Sequence, residues 1–320
     1  MAHPAPVALV GPTASGKSAL ALALARRRPE AELVSVDSMG VYRGMDIGTA
    51  KPSPADRQAG RYHLLDLVDP DEEFSVRRFQ DAARQVLIEI GRRRHRALLV
   101  GGTGLYLRAV VDDLELPGRW PGIAAVLDDE ADRPGGVEEL RARLAELDPP
   151  AVTRIEPGNR RRVVRALEVT LGSGRPFSSF GPGLEVYPPT PVVLVGIRFE
   201  PALHDVLIER RFRTLLDTGL LDEVRALAAR PGGLSRTARQ ALGYRELLAH
   251  IEDGLPLDEA VTRAVARTRA FARRQWAWFK RDPRIVWLDP GGDLLAGLLD
   301  VWDCGAGRGA NAGTAAAVGE

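Results

Sequence analysis

Gly11-Pro12-Thr13-Ala14-Ser15-Gly16-Lys17-Ser18 is the stretch of this chain whose residue types and spacing could do chemistry most plainly. The pattern G-x-x-x-x-G-K-[ST] makes a loop whose backbone N–H groups surround an anionic phosphate. Lys17 adds a point charge, and Ser18 a hydroxyl able to ligate Mg²⁺. A Gly-rich turn without function would not explain a lysine and a serine together at the mouth of a helix. Two further residues stand at comparable places. Asp37 follows the apolar, β-branched run Glu32-Leu33-Val34-Ser35-Val36, and Thr103 follows Ala97-Leu98-Leu99-Val100 within Gly101-Gly102-Thr103-Gly104. In open α/β sheets, side chains at the carboxyl ends of strands point into the ligand crevice, which makes both of them site candidates.

These residues need elements to position them. Val7 to Val10 reads as a buried strand entering the loop, and Ala19 to Ala25 as the helix leaving it. Tyr62 to Val68 reads as a further short strand, Phe74 to Ile90 as an amphipathic helix, and Leu105 to Val111 as a helix after the Gly-Gly-Thr-Gly wall. Leu116-Pro117-Gly118 and Trp120-Pro121-Gly122 mark a boundary, after which Ile123 to Leu171 is helical and charged. Val192 to Ile197 returns as a strand, followed by helices over 204–216, 220–229, 244–252 and 257–278 and a last strand, Ile285 to Leu288. The expectation is an α/β fold with a P-loop NTPase-like parallel-sheet core over 1–115 and 191–303. A helical insertion domain occupies 116–190, and a disordered Gly/Ala-rich tail 304–320.

A P-loop NTPase normally ends an apolar strand in an aspartate that holds Mg²⁺. Here Gly101 to Gly104 take that place, an unusual wall for an ATPase, although the glycines let backbone approach a ligand closely. Composition is that of an ordinary soluble globular protein, with 27% charged and 45% hydrophobic residues and a net charge of +1. Its cations nevertheless cluster, at Arg92 to Arg96, at Arg160 to Arg165 and from Arg263 to Arg284, while acids concentrate elsewhere. Cys304 is the one cysteine, so no internal disulfide forms, and no Cys/His spacing suggests zinc. No apolar run reaches transmembrane length, and the expected location is cytoplasmic, without a membrane partner.

Six stretches in the same order resemble the tRNA dimethylallyltransferases, also called tRNA isopentenyltransferases. They are GPTASGKS from Gly11, DSMGVYRGMDIGTAKP from Asp37, VGGTGLYL from Val100, NRRRVVRALEV from Asn159, ARQALGYRE from Ala238 and RAFARRQWAWFKRDPR from Arg269. The resemblance covers residues 6 to 290 and is far more specific than the P-loop alone. It implies transfer of a dimethylallyl group from dimethylallyl diphosphate to N6 of adenosine 37, beside the anticodon of tRNAs reading codons that begin with U. The P-loop, Gly11 to Ser18, would then hold a diphosphate leaving group, with Mg²⁺ on Ser18, and Asp37 would accept the N6 proton with Thr103 beside it. The resemblance also implies contacts to the tRNA anticodon stem-loop from Asp37, Ser38, Met39, Gly40, Thr103, Arg161, Arg162, Arg165, Gln240, Gly243, Tyr244 and Arg245, in an enzyme expected to be a monomer. Gly40 departs from the glutamine that many members carry, and Ala124 from an arginine. From the residues alone, a small-molecule or nucleoside kinase that binds ATP stays open as the alternative, and a P-loop switch protein ranks below it for want of guanine-reading motifs.

Overall fold

The structure, a computed structural model, describes residues 4–181, 183–198 and 200–307, with backbone alone at 305–307. The chain begins β1 (Val7–Val10), α1 (Lys17–Arg27), β2 (Ala31–Val36), α2 (Pro54–Ala59), β3 (Arg61–His63), α3 (Val76–Arg92), β4 (Arg96–Gly101), α4 (Gly104–Val111). Four helices follow, α5 (Pro121–Ala131), α6 (Gly136–Leu147), α7 (Pro149–Arg154) and α8 (Arg160–Ser173). Then come β5 (Val193–Ile197), α9 (Pro201–Asp217), α10 (Leu220–Ala228), α11 (Tyr244–Asp253), α12 (Leu257–Phe279), β6 (Ile285–Leu288) and α13 (Leu294–Gly307). Two compact units result: Met1–Val111 with Pro189–Glu320, and Asp112–Pro188.

In the first unit the central strands are short and largely apolar on both faces, as β1 with its four fully buried residues illustrates, and such strands belong in a parallel sheet covered on two sides. The sheet has the order β3-β2-β4-β1-β5-β6, and every neighbouring pair is parallel. Alternate residues feed two cores. Val7, Leu9, Leu33 and Leu98 pack with Leu20 and Leu24 of α1 and Leu298 and Trp302 of α13. Ala8, Val10, Val34, Val36 and Leu99 pack on the other face with Phe79, Phe212, Tyr244 and Phe279.

Register positions the site. Gly101 lies opposite both Val10 and Val36, so the next residues, Gly11, Gly102 and Asp37, leave three adjacent strands at one level. Gly101 is required there: a Cβ on it would sit 2.0 Å from the Val36 carbonyl oxygen. The phosphate loop, the carboxylate candidate and the Thr103 wall thus emerge side by side at the carboxyl edge.

The second unit is helical, with Leu127, Leu140, Leu144, Val163 and Leu167 at its centre. Trp120 lies against Gly172 of α8, where an added Cβ would come within 2.2 Å of its ring, and the Trp120 amide donates to Glu168 Oε1 at 2.8 Å. Buried Asp148 caps α7 through the Ala151 amide and accepts from both the amide and the hydroxyl of Ser178.

Three elements differ from the sequence expectation. The strand expected over 62–68 stops at His63, because Leu64 and Asp66 take φ of 62° and 56°, outside any strand conformation. Helix α2, which the sequence reading did not foresee, starts at a capping box in which Ser53 and Asp56 satisfy each other's backbone amides. Helix α13 runs through 304–307, where a disordered tail was expected, since Leu298 and Trp302 bury against α1. The remainder of that expected tail, 308–320, lies outside the described residues.

At the amino end of β2, opposite Asp37, Glu32 is buried to 1% and grips four cations or histidines. Arg93 binds it with Nε and Nη2 at 2.9 and 2.8 Å, and His63 Nε2 stands at 2.6 Å. Burial alone would raise its pKa, but the hydrogen bonds from Arg93 and His63 outweigh that and pull it from 4.5 to about 2. A folded pKa below the unfolded one stabilises fully above the unfolded value and is lost as pH falls through the folded value. Glu32→Gln is therefore expected to cost about 3 kcal/mol at pH 7 in urea unfolding, with the gap narrowing below pH ~4 and closing near pH ~2. A pH-independent gap would show that the loss is one of packing rather than charge.

Candidate active site

The loop Gly11 to Gly16 reaches α1 through two left-handed residues, Ala14 at φ 62° and Gly16 at φ 83°. Gly16 caps α1 without any side-chain bond, so the first-turn amides and the positive end of the helix face outward, an arrangement suited to an anion. Lys17 folds back over the loop, its Nζ donating to the Pro12 carbonyl at 2.5 Å and to Ser15 Oγ at 3.3 Å. Burial, followed by the positive charge of Arg211, lowers its pKa from 10.5 to about 7, with Asp37 opposing. Arg211, on α9, is likewise lowered by burial while Asp37 favours its charge. Two desolvated cations and one carboxylate therefore share the cavity.

That cavity measures about 650 Å³. Of the sequence-derived candidates it brings together Thr13, Lys17, Ser18, Asp37, Ser38, Met39, Gly40, Thr103, Gln240 and Tyr244. Gly11, Pro12, Ala14, Ser15 and Gly16 shape the loop without lining it, and Gly243 and Arg245 lie off the lining as well. Asp37 Oδ1 accepts from the amides of Met39 (2.7 Å) and Gly40 (3.3 Å), an Asx turn that fixes the carboxylate's direction. Thr103 Oγ1 accepts the Ser38 amide at 3.4 Å, tying the β4 wall to the turn after β2.

Side chains from distant helices fasten these walls. Glu223 of α10 accepts the amides of Asp46, Ile47 and Gly48 at 2.7 to 3.2 Å, together with the Tyr244 hydroxyl at 2.5 Å. The Tyr244 ring occupies the place of a Gly48 side chain, a Cβ there falling 2.3 Å from it. Burial and the adjacent Glu223 charge hold the Tyr244 phenol far above its usual pKa, so it acts as a neutral donor. Lys51, 2% exposed, binds the Tyr42 carbonyl, Asp46 and Asp66, and so pins the far end of the same loop. Gln275 of α12 accepts the Thr13 amide with Oε1 and donates through Nε2 to the Gly102 carbonyl, both at 2.8 Å. Gly243, at φ 85°, serves as the N-cap of α11, where its amide donates to Glu246.

Of the four expected RNA-contacting arginines, Arg245 lies on α11 of the sheet unit, and Arg161, Arg162 and Arg165 lie in the helical unit. Arg161 and Arg162 are exposed on α8. Arg165 is engaged within that unit: Nη2 donates to the carbonyls of Pro117 (3.1 Å) and Gly118 (2.8 Å), and Nη1 pairs with Glu168 at 2.8 Å. It fastens the Pro117 to Trp120 segment to α8.

Sequence reasoning missed Arg211, Glu223, Lys51 and Gln275. Arg211 carries no local signal within the run Glu209-Arg210-Arg211-Phe212-Arg213, and only the fold turns it toward Asp37. Gln275 did carry one, as the lone neutral amide between Arg274 and Trp276 in a cationic helix.

A family model described as IPP transferase matches residues 40–282. A tRNA dimethylallyltransferase of Acidothermus cellulolyticus is 49% identical over 285 residues, 88% of each chain. That of Pseudarthrobacter chlorophenolicus is 44% identical over 289 residues, 90% of this chain and 95% of the other. Among solved structures, the full-length tRNA isopentenylpyrophosphate transferase of Bacillus halodurans is 34% identical with a TM-score of 0.68, covering 96% of this chain and 97% of its own. A eukaryotic dimethylallyltransferase, described as acting on tRNA, is 25% identical with a TM-score of 0.73 over 95% of this chain and 77% of the other. With a family model spanning most of its length and relatives this similar across nearly all of it, the chain belongs to the IPP transferase family, that of the tRNA dimethylallyltransferases.

Proposed function

We propose that this chain transfers a dimethylallyl group from dimethylallyl diphosphate to N6 of adenosine 37 in tRNAs reading codons that begin with U, releasing diphosphate. The observation that carries the reading is the placement of Asp37 with two half-buried cations, Lys17 and Arg211, in one cavity. The C1–O bond of the donor breaks, its electrons leaving on diphosphate; the N6–C1 bond forms; and the N6 proton passes to the Asp37 carboxylate. The N6 lone pair is delocalised into the purine ring, so a positioned base helps as the bond forms. Charge developing on the diphosphate is met by the loop amides, Lys17 and Arg211.

Among the described residues no group of three or more His, Cys, Asp or Glu could hold a metal ion. Ser18, exposed in the cavity at the head of α1, offers one hard oxygen. This fits Mg²⁺, which commonly binds through few protein ligands together with phosphate oxygens and water. Bound there, Mg²⁺ would add positive charge to the leaving diphosphate.

The target adenosine leaves its stack in the anticodon stem-loop at a cost of roughly a few kcal/mol. Exposed Arg161 and Arg162 offset this through phosphate contacts, whereas Arg165, already bonded within its own unit, contributes by holding α8. The enzyme works as a cytoplasmic monomer; among the described residues no helix is long and apolar enough to cross a membrane. A kinase is not favoured, because β4 ends in Gly101-Gly102-Thr103 rather than a carboxylate and the relatives matched across the chain are dimethylallyltransferases by name.

Purified protein with Mg²⁺ and labelled dimethylallyl diphosphate is expected to label unmodified tRNA carrying A36-A37 and to leave an A37→G tRNA unlabelled. ATP consumption without label transfer would overturn the reading. Asp37→Asn keeps an oxygen for the Met39 and Gly40 amides but is a far weaker base, so kcat should fall about 10²–10⁴-fold with both substrates still bound. Binding lost in parallel would make Asp37 a structural residue instead. Lys17 is largely neutral at pH 8 in the free protein, and a bound anion restores its proton. Calorimetry in buffers of different ionisation enthalpy should then register close to one more proton taken up per diphosphate by the wild type than by Lys17→Met at pH 8, a difference that shrinks towards pH 6.

A further inference from the structure

The carboxyl edge of the sheet delivers two separate walls, and the reaction needs them at a fixed spacing. One is the loop Gly11 to Ser18, which takes the leaving group; the other is Gly102-Thr103, whose threonine is bonded to the turn that carries Asp37. Neither wall hydrogen-bonds the other directly through any described strand pairing beyond Val10 and Gly101. Helix α12 supplies the missing tie. Its residues Phe271, Arg274, Gln275 and Trp278 recur at i, i+3, i+4 and i+7 and so share one face. Gln275 is 8% exposed, and both ends of its amide are used. An N–H on one side and a carbonyl on the other leave its amide only one orientation, oxygen toward Thr13 and nitrogen toward Gly102. The fit is close: a Cβ on Gly102 would stand 2.3 Å from Gln275 Nε2.

We propose that Gln275 is a positioning residue for the transfer step, setting the distance between the diphosphate loop and the Asp37–Thr103 wall through its paired bonds to the Thr13 amide and the Gly102 carbonyl. The inference rests on the function proposed above and adds to it a role for α12 that no strand-end motif contains. Each substrate binds chiefly to its own wall, so losing the tie leaves affinity intact and misaligns the reacting atoms. A displacement of about 1 Å can cost on the order of 10²-fold in rate.

The test is a double-mutant cycle on the full chain, with Gln275→Ala, Gly102→Ala and the pair, assayed for kcat and for the KM of dimethylallyl diphosphate and of tRNA. Hydrogen exchange at the Thr13 amide and thermal melting are followed alongside. Gln275→Ala is expected to lower kcat about 30–100-fold with both KM values within about threefold, and to expose the Thr13 amide to exchange. Gly102→Ala, whose methyl displaces the glutamine amide, should produce a similar loss, and the double variant should be no worse than either single one. Gln275→Glu can still accept from Thr13 but cannot donate to Gly102, so it should fail to restore kcat. The proposal is overturned if kcat survives Gln275→Ala, if KM rises while kcat holds, if the two losses multiply, or if the rate loss merely follows the fraction unfolded. Fast exchange of the Thr13 amide in the wild-type protein would also overturn it, independently of activity. Absence of transfer by the wild-type enzyme, with that amide protected, would instead strike the underlying functional reading.

Discussion

Positive charge without enough negative charge to answer it is the constraint around which the active unit is built. Lys17 and Arg211 are both desolvated, and each is opposed by the other or by burial, with Asp37 as the carboxylate that favours their charged forms. A partly desolvated pair of like charges is disfavoured until an anion answers it. The diphosphate of the proposed donor would meet that need, and the helix dipole of α1 points the same way. On the proposed function, an anionic substrate would relieve this crowding of cations and make binding energy available where charge develops.

Keeping that arrangement open requires the walls to resist collapse, and neutral or fully satisfied polar ties provide the resistance. Glu223 gathers three consecutive amides and a phenol. Lys51 is sunk between two aspartates and a carbonyl. In these contacts Lys51 is paired with carboxylates and Glu223 is satisfied by amides and a phenol, so neither adds an unanswered charge beside Lys17, Arg211 and Asp37. Both ties hold a loop from the first third of the chain, Lys51 to its immediate surroundings and Glu223 to a helix from the last third, so motifs far apart in sequence are fastened together.

That separation also explains what could be read from the sequence. The phosphate loop was legible because strand, loop and helix are contiguous and each has its own local pattern. Asp37 and Thr103 were legible because a strand end has a topological meaning before any contact is known. Arg211 and Glu223 were not, since each sits on an amphipathic helix rich in charges and only the packing of that helix selects one charge from several. Secondary structure failed where backbone conformation outran propensity, as at Leu64 and Asp66, or where a helix anchored by Leu298 and Trp302 carried on past 303 into residues expected to be a disordered tail. Arg165 carries something the sequence did not show: beside the RNA contact its type and helix position suggest, it bonds two carbonyls and a glutamate of its own unit.

The strand order has a bearing on how the molecule comes into being. β1 lies in the interior of the sheet, with β4 on one flank and β5 on the other. Through Val111 a nascent chain possesses β1 to β4 and can pair one edge of β1; the other edge waits until Val193–Ile197 has been made. Meanwhile the ribosome must produce the whole of Asp112–Pro188, several seconds of work at roughly 5–20 residues per second. For that interval Val7–Val10, the most apolar strand, offers an open edge to any neighbouring chain. Biogenesis of this enzyme thus carries an aggregation window set by its topology, and chains stalled within the insertion are the ones most in need of a chaperone.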